Sequence, residues 1–136
     1  MIVYKVVEKR TRHCSNWALC KSYGVSNKKL KRWLNKHHPG FFPRYLKGTT
    51  VTAALGSVGI LTFEEHTAAR VFKSDYNSRF DANTIIIKVE GIGEPLYNIR
   101  IVPGCGETPK NIYLLTKRWA HAPSGTVAFP AVKVLE

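Results

Sequence analysis

The sequence predicts an α+β domain that has one mixed or antiparallel sheet, a basic N-terminal helix pair and one further helix packed on the sheet. Segments rich in β-branched and aromatic residues alternate with Gly, Pro and Asn, a pattern typical of strands and turns. Three other segments carry apolar residues at helical spacing. Because 44% of the 136 residues are hydrophobic, the chain can build one core, and we expect a single domain over positions 1–136.

The first predicted elements are a strand and two short helices. Residues Ile2 to Glu8 are mostly β-branched or aromatic and favour a strand, which is followed by a basic turn at 9–12. Helices are expected at 15–23 and 26–38, with a glycine turn between them. The second helix has apolar residues at the spacing of one buried face, namely Leu30, Trp33, Leu34 and His37.

A connector and two strands are predicted next. We expect the connector, 41–47, to be held on the core by aromatic side chains, those of Phe41, Phe42 and Tyr45. Pro43 disfavours regular strand pairing in this segment. Strands at 49–55 and 58–63 follow, and the glycine between them suits a hairpin.

The third predicted helix spans 64–74. Thr62 and Glu65 have the spacing of a capping box at its start. Its inward-facing residues are expected to be Ala68, Ala69, Val71 and Phe72.

The last part of the chain is predicted to be β structure. The run of three isoleucines within 83–90 suits a central strand, and further strands are expected at 96–102 and 112–116. The tail, 126–135, contains Pro130, which lacks the N–H that a ladder needs, so we expect this strand at a sheet edge.

Positive charge is concentrated in the N-terminal third of the chain. Twelve of the 21 Lys and Arg residues lie in the first 48 positions, where Glu8 is the single acid, and the remaining 88 positions are nearly neutral. Like charges repel in the compact state, so such segregation indicates an anionic partner. Nucleic acid and phosphorylated ligands lead the candidates, and a merely basic surface is the alternative.

The segment 15–38 resembles the helix–turn–helix DNA-binding motif. Residues of the motif's size and polarity occur at Leu19, Cys20, Tyr23, Gly24, Val25, Ser26, Leu30, Trp33 and Leu34. In this motif the second helix enters the major groove, its N-terminal residues read base edges, and flanking bases hold phosphates. The resemblance therefore implies nucleic-acid contacts by Lys21, Ser26, Asn27, Lys28, Lys29, Lys31, Arg32 and Lys36. A plain amphipathic helix pair with a solvated basic face would have the same spacing.

The whole chain resembles an uncharacterised group of small phage and large-virus proteins. This resemblance is carried by 4–7, Tyr45 with 48–49, 59–64 with Ala68 and Phe72, and 85–90. It implies a viral accessory role and no particular chemistry.

Catalytic and metal-binding patterns are sparse. A likeness to ADP-ribosyltransferases implies only loose candidates for catalysis, which are Lys5 or His13, Ser57 and Glu107. A zinc site would have to draw on Cys14, Cys20, His13, His37 and His38, but the two cysteines are six positions apart rather than at the close spacing of zinc ligands. We expect no catalytic residue, no metal and no cofactor.

These residues predict a protein that binds nucleic acid, with duplex DNA as the first candidate, without catalysing a reaction. The alternative from another class is a protein that sequesters a nucleotide or another phosphorylated small ligand, as a viral counter-defence protein would. An ADP-ribosyltransferase-like enzyme is the third possibility. No stretch approaches the ~20 apolar residues that cross a bilayer, and no secretory signal opens the chain, so we expect a soluble intracellular protein.

Overall fold

The computed structural model describes residues 1–13, 32, 36, 43–54, 58–80, 82–97, 99 and 124–136. The strands in these ranges are β1 (Ile2–Glu8), β2 (Thr50–Thr52), β3 (Ile60–Phe63), β4 (Thr84–Ile92), β5 (Thr126–Phe129) and β6 (Ala131–Val134). A helix, α1, spans His66–Phe80. The six strands form one sheet in the order β2-β6-β4-β1-β3-β5, and all of its neighbouring strands run antiparallel. The α+β class is therefore confirmed.

The longest ladder joins β1 to β4. It runs over seven pairs, from Ile2 opposite Glu90 to Glu8 opposite Thr84. The predicted bounds of β1 are confirmed, and β4 continues two residues beyond its predicted end. These strands could be predicted from the sequence because their β-branched runs favour an extended backbone whatever strands they pair with.

The predicted hairpin of the second and third strands is wrong. β2 pairs with β6, whereas β3 pairs with β1 and β5. Each of these distant pairings buries apolar residues from both strands, as Val51 and its partner Val132 show. Burial of paired side chains thus determines the neighbours of β2 and β3 more than their proximity in sequence does.

The prediction of a single edge strand at 126–135 is also wrong. The chain bends at Pro130, which cannot donate a ladder hydrogen bond because it has no N–H. β5 lies at one end of the strand order, whereas β6 lies in its interior between β2 and β4. Since only Pro130 separates two strands so far apart in this order, the sheet must curl back on itself. A bridge between Leu96 and Ala128 adds a contact on β5.

The curled sheet encloses the main core. Its buried members alternate along the strands, as a period of two requires, and are Val3, Val7, Tyr45, Val51, Ile60, Ile87, Val89, Val127, Phe129, Val132 and Val134. The Phe129 ring lies against Gly91, where an added Cβ would overlap the ring carbons. Lys5 shares this interior row with Val3 and Val7, and its side chain is only 7% exposed.

Helix α1 packs on the outer face of the sheet. It covers a second cluster formed by Val6, Phe63 and Ala69, with Tyr4, Ala68, Phe72 and Ile86 packed against it. The inward positions of Ala69 and Phe72 agree with the prediction, but Val71 is 68% exposed. Tyr76, which lies beyond the predicted end of the helix, is 1% exposed because the helix continues to Phe80, about 1.7 turns further than predicted.

The predicted start of this helix is wrong as well. Thr62 does not cap it, because Thr62 belongs to β3 and its hydroxyl donates to the backbone oxygen of Val127 at 2.8 Å. The helix begins at His66, after Glu64 has donated its N–H to Gly125. Pairing with the β5 segment therefore continues almost up to the helix, and the helix starts two residues later than predicted.

Most of the predicted helix pair lies outside the described residues. Within 15–38 the structure describes Arg32 and Lys36, both helical and exposed. Of the predicted strand 96–102 it describes Leu96, Tyr97 and Ile99, and none of these belongs to a named strand. The predicted strand 112–116 lies outside. No helix within the described ranges is long and apolar enough to span a membrane.

Candidate nucleic-acid interface

The turn after β1 is closed by backbone hydrogen bonds. The Glu8 N–H donates to the His13 oxygen at 2.8 Å, and the Arg12 N–H donates to the Glu8 oxygen at 2.9 Å. Arg12 has a φ of 60°, a left-handed conformation that is costly for a residue with a Cβ. Its guanidinium offsets part of this cost, since Nε donates to the Tyr45 oxygen at 2.7 Å and Nη2 donates to the main-chain oxygen of Glu136.

The connector lies directly beside this turn. His13 and Arg44 form an isolated antiparallel bridge, and the Tyr45 N–H donates to the Arg12 oxygen at 2.9 Å. The Arg44 Nε donates to the Thr11 oxygen, also at 2.9 Å. The turn and the connector are therefore held side by side, although 30 positions separate His13 from Pro43 in the sequence.

Tyr45 anchors the connector to the interior. Its side chain is 2% exposed, and the Lys5 ammonium lies 5.2 Å from the ring centroid, within the range of a cation–π contact. The same Lys5 Nζ donates to the backbone oxygen of Leu61 at 2.7 Å. The predicted packing of Tyr45 is confirmed, while Phe41 and Phe42 lie outside the described residues.

The turn and the connector together form a basic surface, which we call the basic edge. It consists of the exposed residues Lys9, Arg10, Arg44 and Lys47. Glu8, the acid nearest to it in sequence, is buried. Glu136 is engaged through its main-chain oxygen with Arg12 and through Oε1 with the Lys88 N–H. The basic edge thus presents four cations at fixed backbone positions.

Two of the eight residues predicted to contact nucleic acid are described by the structure. These two, Arg32 and Lys36, are exposed, whereas Lys21, Ser26, Asn27, Lys28, Lys29 and Lys31 lie outside the described residues. The basic edge was not among the predicted residues. The excess of charge in the first 48 positions is the signal that could have found it, but the pairing of the turn with the connector is not visible in the sequence.

The alternative sites are less well supported by the geometry. Both Lys5 and His13, the candidates from the ADP-ribosyltransferase likeness, are buried, and Ser57 and Glu107 lie outside the described residues. Among the described residues, no three His, Cys, Asp or Glu side chains are placed to hold a metal ion. Cys14, Cys20, His37 and His38 lie outside them. Comparisons with known protein families, curated proteins and solved structures give no significant match.

Proposed function

We propose that the protein binds nucleic acid, with duplex DNA as its ligand, and that it does so without catalysis. The observation that carries the proposal is the basic edge. Exposed cations, Lys9 with Arg10 and Arg44 with Lys47, are carried by two segments that lie side by side, since Arg44 bonds to Thr11 and Tyr45 bonds to Arg12.

Such a surface suits a phosphate backbone. A protein that neutralises phosphates with Lys and Arg releases condensed counterions, which makes sequence-independent affinity strong and sensitive to salt. Backbone hydrogen bonds hold the turn and the connector, so the cations at the basic edge are supported by a rigid scaffold. We assign the basic edge to phosphate contacts, which position the protein on the duplex.

We assign contacts with bases to the segment 15–38. Its resemblance to the helix–turn–helix motif assigns Ser26, Asn27, Lys28, Lys31 and Arg32 to the outward face of a reading helix. The exposure of Arg32 is compatible with this role. In this arrangement the edge binds the backbone and the segment supplies any sequence preference.

The test is the salt dependence of duplex DNA binding. We expect log affinity to fall linearly with log salt, and the change Arg44→Ala with Lys47→Ala to reduce the slope by about 0.9 for each phosphate that is no longer neutralised, or about 1.8 in all. Lys88→Ala with Lys133→Ala is the matched control, because it also removes two exposed cations but from outside the basic edge. Fluorescence anisotropy at several salt concentrations measures all three proteins.

Two results would contradict the proposal. One is wild-type affinity that does not change with salt. The other is an equal decrease of slope in the edge variant and in the control, which would show that only net charge matters. The variant Arg32→Ala adds a check on base reading, since removal of a base-specific hydrogen bond costs about 1–3 kcal/mol and relaxes preference at one position.

A further inference from the structure

A groove of about 990 Å³ runs along one flank of α1, beside β4. This volume is at the upper end of the range of small-molecule sites. Four polar or charged lining residues follow one another at spacings of four, three and four positions, which places them on one face of the helix. They are His66, Arg70, Lys73 and Asn77.

Both ends of this row are held in place by the sheet. At one end the His66 ring meets the Tyr4 ring edge to face, with centroids 5.2 Å apart. At the other end the Oδ1 of Asn77 accepts a hydrogen bond from the Thr84 hydroxyl at 2.7 Å. The Asn77 amide is thereby oriented, and its N–H groups are the donors left for a ligand.

The charge between these ends is uncompensated along the helix. Arg70 and Lys73 are three positions apart, so they are neighbours of like charge. Neither has an acidic residue three or four positions away in the sequence, and none of the described residues lining the groove is acidic. An anion bound between the two side chains would relieve their repulsion.

The rest of the lining is partly apolar. The half-buried side chain of Ile86 contributes to it from the α1 face of β4, whereas the side chain of Ile85 packs against the main core. The exposed Val71 lies on the helix side. An apolar surface beside two cations and an oriented amide matches a ligand that has a flat, poorly hydrated body, a charged group and hydrogen-bond acceptors. We propose that this groove binds a free nucleoside monophosphate, with the phosphate at Arg70 and Lys73 and the base over Ile86.

The length of the groove favours a single nucleotide over a strand. His66 and Asn77 are eleven positions apart, which at the helical rise of 1.5 Å is about 16 Å along the axis. Each end is occupied by a fixed side-chain pair. The site uses no residue of the first 48 positions except Tyr4 at its end, so it is independent of the basic edge and goes beyond the proposed function.

The experiment uses adenosine 5′-monophosphate as the probe. Calorimetric titration is performed on the wild-type protein, on Arg70→Ala with Lys73→Ala, and on Arg44→Ala with Lys47→Ala, which removes the same charge from the basic edge. We expect saturable binding that falls at least tenfold in the groove variant and less than twofold in the edge variant. Duplex DNA binding should show the opposite order, so failure at one site is distinguishable from failure at the other.

A second measurement does not depend on the variants. Backbone amide shifts of the wild-type protein should change on titration at Arg70, Lys73 and Ile86, and inorganic phosphate should produce the changes near the two bases only. Absence of saturable binding, shifts confined to other residues, or equal decreases of affinity in the two variants would overturn the proposal. It would also be overturned if a five-nucleotide single strand bound in the groove and the mononucleotide did not, because the ligand would then be a strand.

Discussion

Lys5 is a buried cation that links three segments of the chain. Its Nζ donates to the Leu61 oxygen and lies over the Tyr45 ring, so one side chain connects β1, β3 and the connector. The ladder between β1 and β3 has a single paired position, Tyr4 with Phe63. The lysine therefore supplements a short ladder with a side-chain hydrogen bond.

We expect Lys5→Ala to lower the free energy of unfolding by about 2–4 kcal/mol, because it leaves a cavity and removes the donor to the partly buried Leu61 carbonyl. Lys5→Met retains most of the volume and should cost less, about 1.5–3 kcal/mol, the net value of one hydrogen bond from a charged group. Urea denaturation measures both. Equal destabilisation of the two variants would contradict a contribution of the Lys5 side-chain volume to the free energy of unfolding.

The sequence could not have assigned this role to Lys5. Lysine is among the residues least often fully buried, so a lysine in a strand is by default expected to be solvated. The alternation of Val3 and Val7 does place position 5 on their face. What identifies its partners is the return of the connector to the core through Tyr45, a contact across forty positions.

At the scale of elements, the bend between β5 and β6 depends on close packing against β4. The Phe129 ring, at the end of β5, occupies the space over Gly91 that any side chain would need. Directly after the end of β4, Gly93 has a φ of 89° and faces the Pro130 ring. Glycines in β4 and just beyond it thus accommodate the corner at which the sheet curls.

We expect Gly91→Ala to destabilise the protein by about 1–3 kcal/mol, the usual cost of overpacking a core. The added methyl would meet the Phe129 ring in a region where both strands are fixed by their ladders. Thermal unfolding of Gly91→Ala, Phe129→Leu and the double variant forms a double-mutant cycle. The shorter leucine should recover part of the stability, whereas strictly additive costs would show that the two sites do not interact.

Elements and their pairing differ in how far they follow from local sequence. β1, β4 and the existence of α1 were predictable because β-branched runs and helical spacing are local properties. The partners of β2 and β3 were not, since alternation shows that a strand has a buried face but not which strand lies beside it. The exposed Val71 shows a related limit, because the packed face of a helix is decided by the sheet beneath it.

At the scale of the molecule, the sheet is assembled almost entirely from distant pairs. The partners of β1 in β4 are between 76 and 88 positions away, and those of β3 in β5 between 63 and 69. Such contacts require large loops to close before they contribute any stabilisation. The topology therefore determines folding speed more strongly than the composition does.

We expect refolding from denaturant to take milliseconds to seconds, the range of two-state proteins dominated by non-local strand pairing. Stopped-flow fluorescence is the measurement, with the tryptophans and tyrosines as probes. Refolding of the full sheet within microseconds would mean that local contacts limit the rate instead.

The candidate site was only partly predictable because it combines local and distant features of the chain. Segregation of charge is a property of composition along the chain, and it indicated an anionic partner for the first 48 positions. The meeting of Lys9 and Arg10 with Arg44 and Lys47 depends on the His13–Arg44 bridge, which closes over 14–42. The groove on the flank of α1 could not be predicted, because the sequence does not show which face of the helix the sheet leaves uncovered.

The interior position of β6 has a consequence for synthesis on the ribosome. β6 is made after the other five described strands, yet it must enter between β2 and β4, whose synthesis is complete once Ile92 has been added. Translation at roughly 5–20 residues per second would need about 2–8 s to reach Val134 from there. Throughout that interval the nascent chain carries unpaired strand edges, which are templates for pairing with other chains. For this topology, aggregation of the nascent chain during translation is therefore a greater hazard than unfolding of the finished protein. Translation is also the stage at which chaperones meet the chain.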